Sequence, residues 1–200
     1  MPLDNLHMTA LEITHSRTAE EIRDLVDKLG PYVQRITDYT LEHRVRLIKP
    51  VIGFDASGLA LCFLPAAGES PSAGRKTEDD DYTYQHLRKE LYDIVTDTGL
   101  QVDSRYVVPS AHLTIARFID SKDFTSASNG CPVDREKEKR LLDKIDEISD
   151  ELRKELWPSE DSSVVPAGGE WIVGQEKGLD ARQGRLWYGG GETIHLGKGF

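Results

Sequence analysis

Apolar and polar positions along the chain alternate between strand-like and helix-like spacing. The run from Leu6 to Thr14 reads as a first strand. Thr18 and Glu21 form a capping box, and Ile22, Leu25, Val26 and Leu29 follow at helical spacing, so a helix is predicted to stop at Gly30-Pro31. Tyr32, Val33, Ile36 and Tyr39 predict a second helix to about His43. Val45 to Phe54 and Leu59 to Leu64 are predicted strands, joined as a hairpin by Asp55-Ala56-Ser57-Gly58. Residues 65–81 are rich in Gly, Ser, Pro and acid and read as an exposed loop.

Tyr84, Leu87, Leu91, Ile94 and Val95 mark a helix ending near Gly99. Tyr106 to Ile119 is a predicted strand, and the turn-rich stretch 121–133 is a second exposed loop. Leu141, Ile145, Ile148, Leu152 and Leu156 define a long amphipathic helix over about Asp134–Leu156, with a highly charged outer face. Trp171–Gln175, Arg185–Tyr188 and Thr193–Leu196 are the last predicted strands. Strand, helices, hairpin and helix, then strand, helix and hairpin, give two similar halves. The expected class is α+β, with mainly antiparallel sheets and outer helices in one bilobal domain over residues 1–200.

Composition narrows the function classes. Two hundred residues suffice for a sizeable core, and 38% hydrophobic with 30% charged residues is ordinary for a soluble protein. A net charge of −10 argues against a protein that coats long duplex nucleic acid, which relies on Lys and Arg to neutralise phosphates. It leaves room for a nucleotide or an RNA end, where a few local cations suffice. Much of the acid is confined to Glu78-Asp79-Asp80-Asp81 and to 134–161. No apolar stretch reaches the roughly 18 residues that span a bilayer, and the N-terminus lacks a basic-then-apolar layout. The expectation is a cytoplasmic or nuclear protein without membrane contact. Cys62, in an apolar strand, reads as a small hydrophobe, and Cys131 lies in a loop. No Cys/His spacing suggests a metal site.

The candidate chemistry lies in a repeated pattern. His7-Met8-Thr9-Ala10 and His112-Leu113-Thr114-Ile115 are both His-x-Thr sets inside apolar runs. Side chains two apart on a strand share a face, so each run presents one imidazole and one hydroxyl together. Two such strands side by side suit acid–base work on a phosphate: one His removes a proton, the other donates one, and the hydroxyls hold phosphate oxygens.

The paired motifs resemble those of the 2H phosphoesterase superfamily, which includes 2′-5′ RNA ligase-like proteins, cyclic nucleotide phosphodiesterases and an RNA-processing exonuclease. Asp4-Asn5-Leu6-His7-Met8-Thr9 is similar to the first motif of the RNA ligase-like branch, and His112-Leu113-Thr114-Ile115-Ala116-Arg117 to the second, Arg included. With Trp171-Ile172-Val173-Gly174 and Arg185-Leu186-Trp187-Tyr188-Gly189-Gly190-Gly191, the wider run looks most like fungal members of this group. The resemblance implies two pseudo-symmetric lobes across a central cleft. It implies metal-independent hydrolysis, or reversible formation, of 2′,3′-cyclic phosphates or 2′-5′ linkages, with no cofactor. His7 and His112 would be the acid–base pair, and Thr9 and Thr114 the phosphate holders. The family carries a strand and helix ahead of the first motif; here the motif begins at residue 7, so a smaller or truncated first lobe with an open sheet edge is expected.

The resemblance also places Arg117 near the phosphate, where a guanidinium suits the oxygens. It lies five positions from His112, which on a regular strand points it to the opposite face unless a bulge intervenes. Trp187 and Tyr188 are candidates for a base-stacking wall, with Gly189-Gly190-Gly191 as a flexible cleft rim. His15 shares strand parity with His7 but lies about 26 Å further along an extended chain. His43, His86 and His195 show no metal spacing. Two other readings stand beside catalysis: an RNA-end or nucleotide-binding module on the same fold, and an interaction domain using the long charged helix.

Overall fold

The computed structural model describes residues 1–69, 74–105, 110–125, 134–159, 165–186 and 189–200. Their order is α1 (Ala19–Thr37), β1 (Val45–Asp55), β2 (Gly58–Pro65), α2 (Tyr84–Asp97), β3 (Ala111–Arg117), α3 (Arg135–Leu156), β4 (Glu170–Val173), β5 (Lys177–Gln183) and β6 (Glu192–Lys198). The class is α+β. An antiparallel four-stranded sheet has the order β3-β2-β1-β4, and β5 and β6 form a second, two-stranded antiparallel sheet.

Alternation along the strands sorts the larger sheet into two faces. Leu47 pairs with Trp171, Val45 with Val173, and Phe63 with Ala111. These side chains pack with Tyr84, Leu87 and Leu91 of α2 in the main core cluster. α2 starts at Thr83, whose amide donates to His86 Nδ1 at 3.0 Å, and it ends before Gly99 at φ +83°. The opposite face carries His112 and Thr114 on β3, and Cys62, Ala60 and Gly58 opposite or near them on β2.

α3 is capped by Asp134, whose carboxylate accepts from the amides of Glu136 and Lys137. β4 pairs with Val45–Ile48, and among the described residues the rest of β1 has no strand on that side. α3 packs there: the Ser149 hydroxyl accepts from the Ile52 amide at 3.3 Å, and Trp157 Nε1 donates to Pro50 O at 2.9 Å. The β5–β6 pair docks on the end of α1. A Cβ at Gly178 or Gly197 would stand 2.4 or 2.0 Å from Thr37 O, so both positions need glycine for the approach.

Several expectations are corrected. The helix does not stop at Gly30-Pro31, and no second helix runs from Tyr32 to His43; α1 is continuous to Thr37, followed by a short 3-10 turn at Tyr39–Leu41. Ile22, Leu25, Leu29, Val33 and Ile36 keep one helical phase across the Gly-Pro pair. Both Gly30 and Pro31 face solvent, where water can satisfy the carbonyl that loses its partner. The run from Leu6 to Thr14 is not a ladder strand: it bends at Ala10, and among the described residues its one bridge is Met8 to Leu113. A 3-10 turn at Leu3–Asn5 precedes it, and further along Ile13 O accepts from the Asp103 amide at 2.8 Å instead of continuing beside β3.

The stretch 65–81 is not uniformly exposed. Thr77–Asp81 is a 3-10 turn, and Asp80 is buried, ion-paired to Arg46 and Arg75. Arg185 lies beyond the strand assigned to Arg185–Tyr188; β5 is instead Lys177–Gln183. Of the second loop, 126–133, with Cys131, falls outside the described residues. Among the described residues no helix is long and apolar enough to cross a membrane.

Candidate functional site

The first motif lies antiparallel beside the second. Met8 bridges Leu113, and in that register His7 stands opposite Thr114 and Thr9 opposite His112. Residues directly opposite share a face, so two imidazoles and two hydroxyls converge on one side of the pair. The intervening residues point the other way. Met8 and Ala10 pack against the main core cluster, of which Ala111 is a member. The apolar x residues thus seat the motif while the polar ones face outward.

Each imidazole is oriented in the same way. His7 Nδ1 donates to Asn5 O at 2.9 Å, and His112 Nδ1 donates to Ser110 O at 3.2 Å, with the Ser110 hydroxyl oxygen 3.1 Å away. A carbonyl can only accept, so the neutral ring keeps its proton on Nδ1 and offers a lone pair at Nε2. Protonation turns that same Nε2 into a donor. His7 is exposed, and His112 and both threonines are half-buried.

The single bridge is reinforced from α2. The buried Tyr84 hydroxyl donates to Thr9 O at 2.9 Å, and Arg88 Nη1 donates to the same oxygen at 3.2 Å. Burial raises the Tyr84 phenol above its usual range, which keeps it a donor. Sequence reasoning missed this anchor because a backbone carbonyl leaves no mark in the residue pattern.

Beside the motifs the sheet surface is low. Cys62 is opposite His112, Ala60 opposite Thr114, and Gly53 on β1 opposite Ala60. A Cβ on Gly53 would stand 2.7 Å from Cys62 Sγ. Cys62 is half-buried, and burial raises its thiol above the usual range, which disfavours the thiolate.

Arg117 reaches the motif face through a bulge. Ala60 pairs with Thr114 but Leu59 pairs with Ala116, so Ile115 is the extra residue on β3. Gly58, Ala60 and Cys62 alternate on one face of β2, and their partners are Arg117, Thr114 and His112. Five residues with one bulge therefore return Arg117 to the side of His112. It also neighbours Asp55, whose carboxyl is held below its usual range by the Ser57 hydroxyl first, then the Ser57 and Gly58 amides, with Arg117 adding its charge.

Trp187 and Tyr188 lie outside the described residues. Their flanks are informative. Gly189, at φ +77°, packs on the first motif: a Cβ there would stand 2.5 Å from Asn5 O, the acceptor of His7. Its positive φ and this close approach both call for glycine at position 189.

The other histidines sit elsewhere. His15 Nδ1 lies 3.0 Å from the Ser16 hydroxyl, at the far end of the first segment. His195 Nδ1 lies 2.8 Å from Thr37 Oγ1. His43 stacks on Tyr39 with centroids 3.9 Å apart. With Tyr82 and His86, these two border Glu90, which accepts hydrogen bonds from the Tyr39 and Tyr82 hydroxyls. Among the described residues, no group of three or more His, Cys, Asp and Glu could hold a metal ion. No family model matches this chain, and neither a curated protein nor a solved structure matches it.

Proposed function

We propose that this chain is a metal-independent phosphoesterase of the 2H type, acting on RNA-type phosphodiesters such as 2′,3′-cyclic phosphates or 2′-5′ linkages. The observation that carries this reading is the Met8–Leu113 bridge, whose register aligns His7 with Thr114 and His112 with Thr9 on one face. Two unrelated strand histidines need not meet, and need not both be fixed through Nδ1 on a carbonyl two residues earlier. The apolar residues Met8, Ala10 and Leu11 pack the segment on the main core, and the side chains of His7 and Thr9 are not part of that contact. The bilobal arrangement of the 2H fold belongs to the same proposal.

In hydrolysis of a cyclic phosphate, Nε2 of one neutral imidazole takes a proton from water as its oxygen attacks phosphorus. Nε2–H of the other, protonated imidazole gives a proton to the departing ribose oxygen. The two rings thereby exchange states, and solvent resets them. Either imidazole can serve as base, and reversing the reaction swaps the roles. The anionic phosphate between the rings favours the protonated form of one of them. Thr9 and Thr114 hydroxyls donate to non-bridging oxygens, and Arg117 adds positive charge on the same face. No cofactor is needed for these steps.

The test is turnover of 2′,3′-cyclic AMP and of a short RNA ending in a cyclic phosphate, in the presence of EDTA. Wild type is compared with His7→Ala and His112→Ala at matched circular dichroism. A fall of roughly 100-fold or more in each variant, the lower range for one lost acid–base group, is expected. Binding of the RNA end without turnover by folded wild type would instead establish a binding module.

A further inference from the structure

We propose that the depression between the first turn of α1 and the β5–β6 turn is a second phosphate subsite, taking a phosphate group of the substrate other than the one that reacts. The phosphoesterase reading enters only in placing the reacting phosphate on the His-x-Thr face. The depression has a volume of about 450 Å³, and Arg23, Gln183, Arg185, Gly191 and Glu192 are among its lining residues.

Its charge is the first support. Arg23 comes from α1 and Arg185 follows β5, so two arginines from separate elements line one hollow. Arg17, Arg46, Arg75, Arg105 and Arg153 each have a carboxylate partner. Arg23 and Arg185 have none among the described residues. Among the described lining residues Glu192 is the one carboxylate, which leaves a local surplus of positive charge in a chain of net charge −10. Planar guanidinium forks match phosphate oxygens, and the Gln183 amide adds a neutral donor.

Distance is the second support. Two residues of chain span at most about 7 Å, so Gly191 in the lining lies no further than that from Gly189. Gly189 packs on Asn5, whose carbonyl holds the His7 ring at 2.9 Å. Adding these steps puts the wall of the hollow within roughly 15 Å of the His7 imidazole. A second phosphate on the same small substrate can therefore occupy the hollow while the first sits between the imidazoles. The class of substrate selected is one with two phosphate groups, either a 5′-phosphorylated cyclic nucleotide or a dinucleotide ending in a cyclic phosphate.

The experiment compares three substrates: 2′,3′-cyclic AMP, its 5′-phosphorylated form, and a dinucleotide with a 2′,3′-cyclic phosphate end. Each is given to wild type, to the double variant Arg23→Gln with Arg185→Gln, and to Arg140→Gln with Arg153→Gln, which changes charge equally on α3. Wild type should favour at least one two-phosphate substrate by roughly tenfold in KM, the scale of one charge-assisted hydrogen bond. The Arg23/Arg185 variant should lose that preference while retaining turnover of 2′,3′-cyclic AMP, and the α3 variant should keep it. Whichever two-phosphate substrate is preferred identifies the source of the second phosphate. Equal KM values in wild type, or a preference that survives the Arg23/Arg185 variant, overturns the subsite. If no substrate turns over, calorimetric binding of a dinucleotide 3′-phosphate and of 3′-AMP decides. Tighter dinucleotide binding that vanishes in the Arg23/Arg185 variant retains the subsite and overturns the catalytic reading, whereas equal binding overturns both.

Discussion

Met8 lies opposite Leu113, and this contact sets the register of both His-x-Thr segments. It is also a thin connection, because the first segment has no other ladder contact with β3 among the described residues. The Tyr84 hydroxyl, donating to Thr9 O, acts as its second fastening. Tyr84→Phe removes that donor and leaves the carbonyl to Arg88. The expected cost is about 1 kcal/mol of stability, the usual net worth of one hydrogen bond. Turnover should fall by a larger factor, roughly tenfold or more, because His7 and Thr9 lose their fixed placement. Urea unfolding and cyclic phosphate hydrolysis on the same samples check this. A stability loss with unchanged turnover would show that the motif keeps its placement without the Tyr84 donor.

A second prediction concerns the buried charges. Arg46 is fully buried and donates to Glu170 at 2.7 Å, to Asp80 at 2.9 Å and to Glu69 O at 2.9 Å. Asp80 also accepts from Arg75 and from the Gly68 amide. Asp80→Ala removes the shared acceptor, and the expected loss is about 3–5 kcal/mol, the range for breaking one partner of a buried pair. Arg46→Met combined with Asp80→Leu should recover a substantial part, since neither charge then remains buried. Denaturant midpoints at constant slope measure both. A double variant no better than Asp80→Ala would count against a charge-based explanation.

Pro31 gives a third. Inside α1 it removes one backbone hydrogen bond and crowds the preceding turn, at a cost of about 3 kcal/mol. Proline also restricts the unfolded chain, which offsets about 1 kcal/mol. Pro31→Ala should therefore raise stability by about 2 kcal/mol, visible as a higher thermal midpoint. An unchanged midpoint would mean that the helix already relaxes around the proline.

These residues also indicate what could be read from the chain. The apolar periodicities of α2, α3, β1 and β2 decide their own structures, because each buries one continuous stripe or face. The Pro31 signal misleads because it is local, while the stripe from Ile22 to Ile36 is held by packing over the whole helix. β5 is nearly silent: in Lys177–Gln183 only Leu179 packs on the main core, and its place depends on β6 and on Gly178 meeting Thr37. At the candidate site, the parity of His and Thr is legible from spacing alone. The side on which Arg117 falls is not, because a single bulged residue, Ile115, reverses it, and bulges carry no marker in an Ala-Arg-terminated apolar run.

The last prediction comes from a cluster the motifs do not use. Tyr39 and Tyr82 both donate to Glu90, and burial first, then the nearby carboxylate, raises their phenols; Tyr39 is pushed up to about 12. A phenol with a folded pKa above its unfolded value stabilises the fold fully below about 10, and that contribution is lost as the pH rises towards about 12. Of the seven tyrosines, these two and the buried Tyr84 should ionise late in an ultraviolet titration of the phenolate, and unfolding should set in over the same alkaline window. Glu90→Gln removes the negative charge that opposes ionisation while keeping an acceptor. Both phenols should then titrate earlier, and the alkaline loss of stability should shrink. If the variant leaves the late-ionising pair in place, burial alone sets these values and the carboxylate has no part in them.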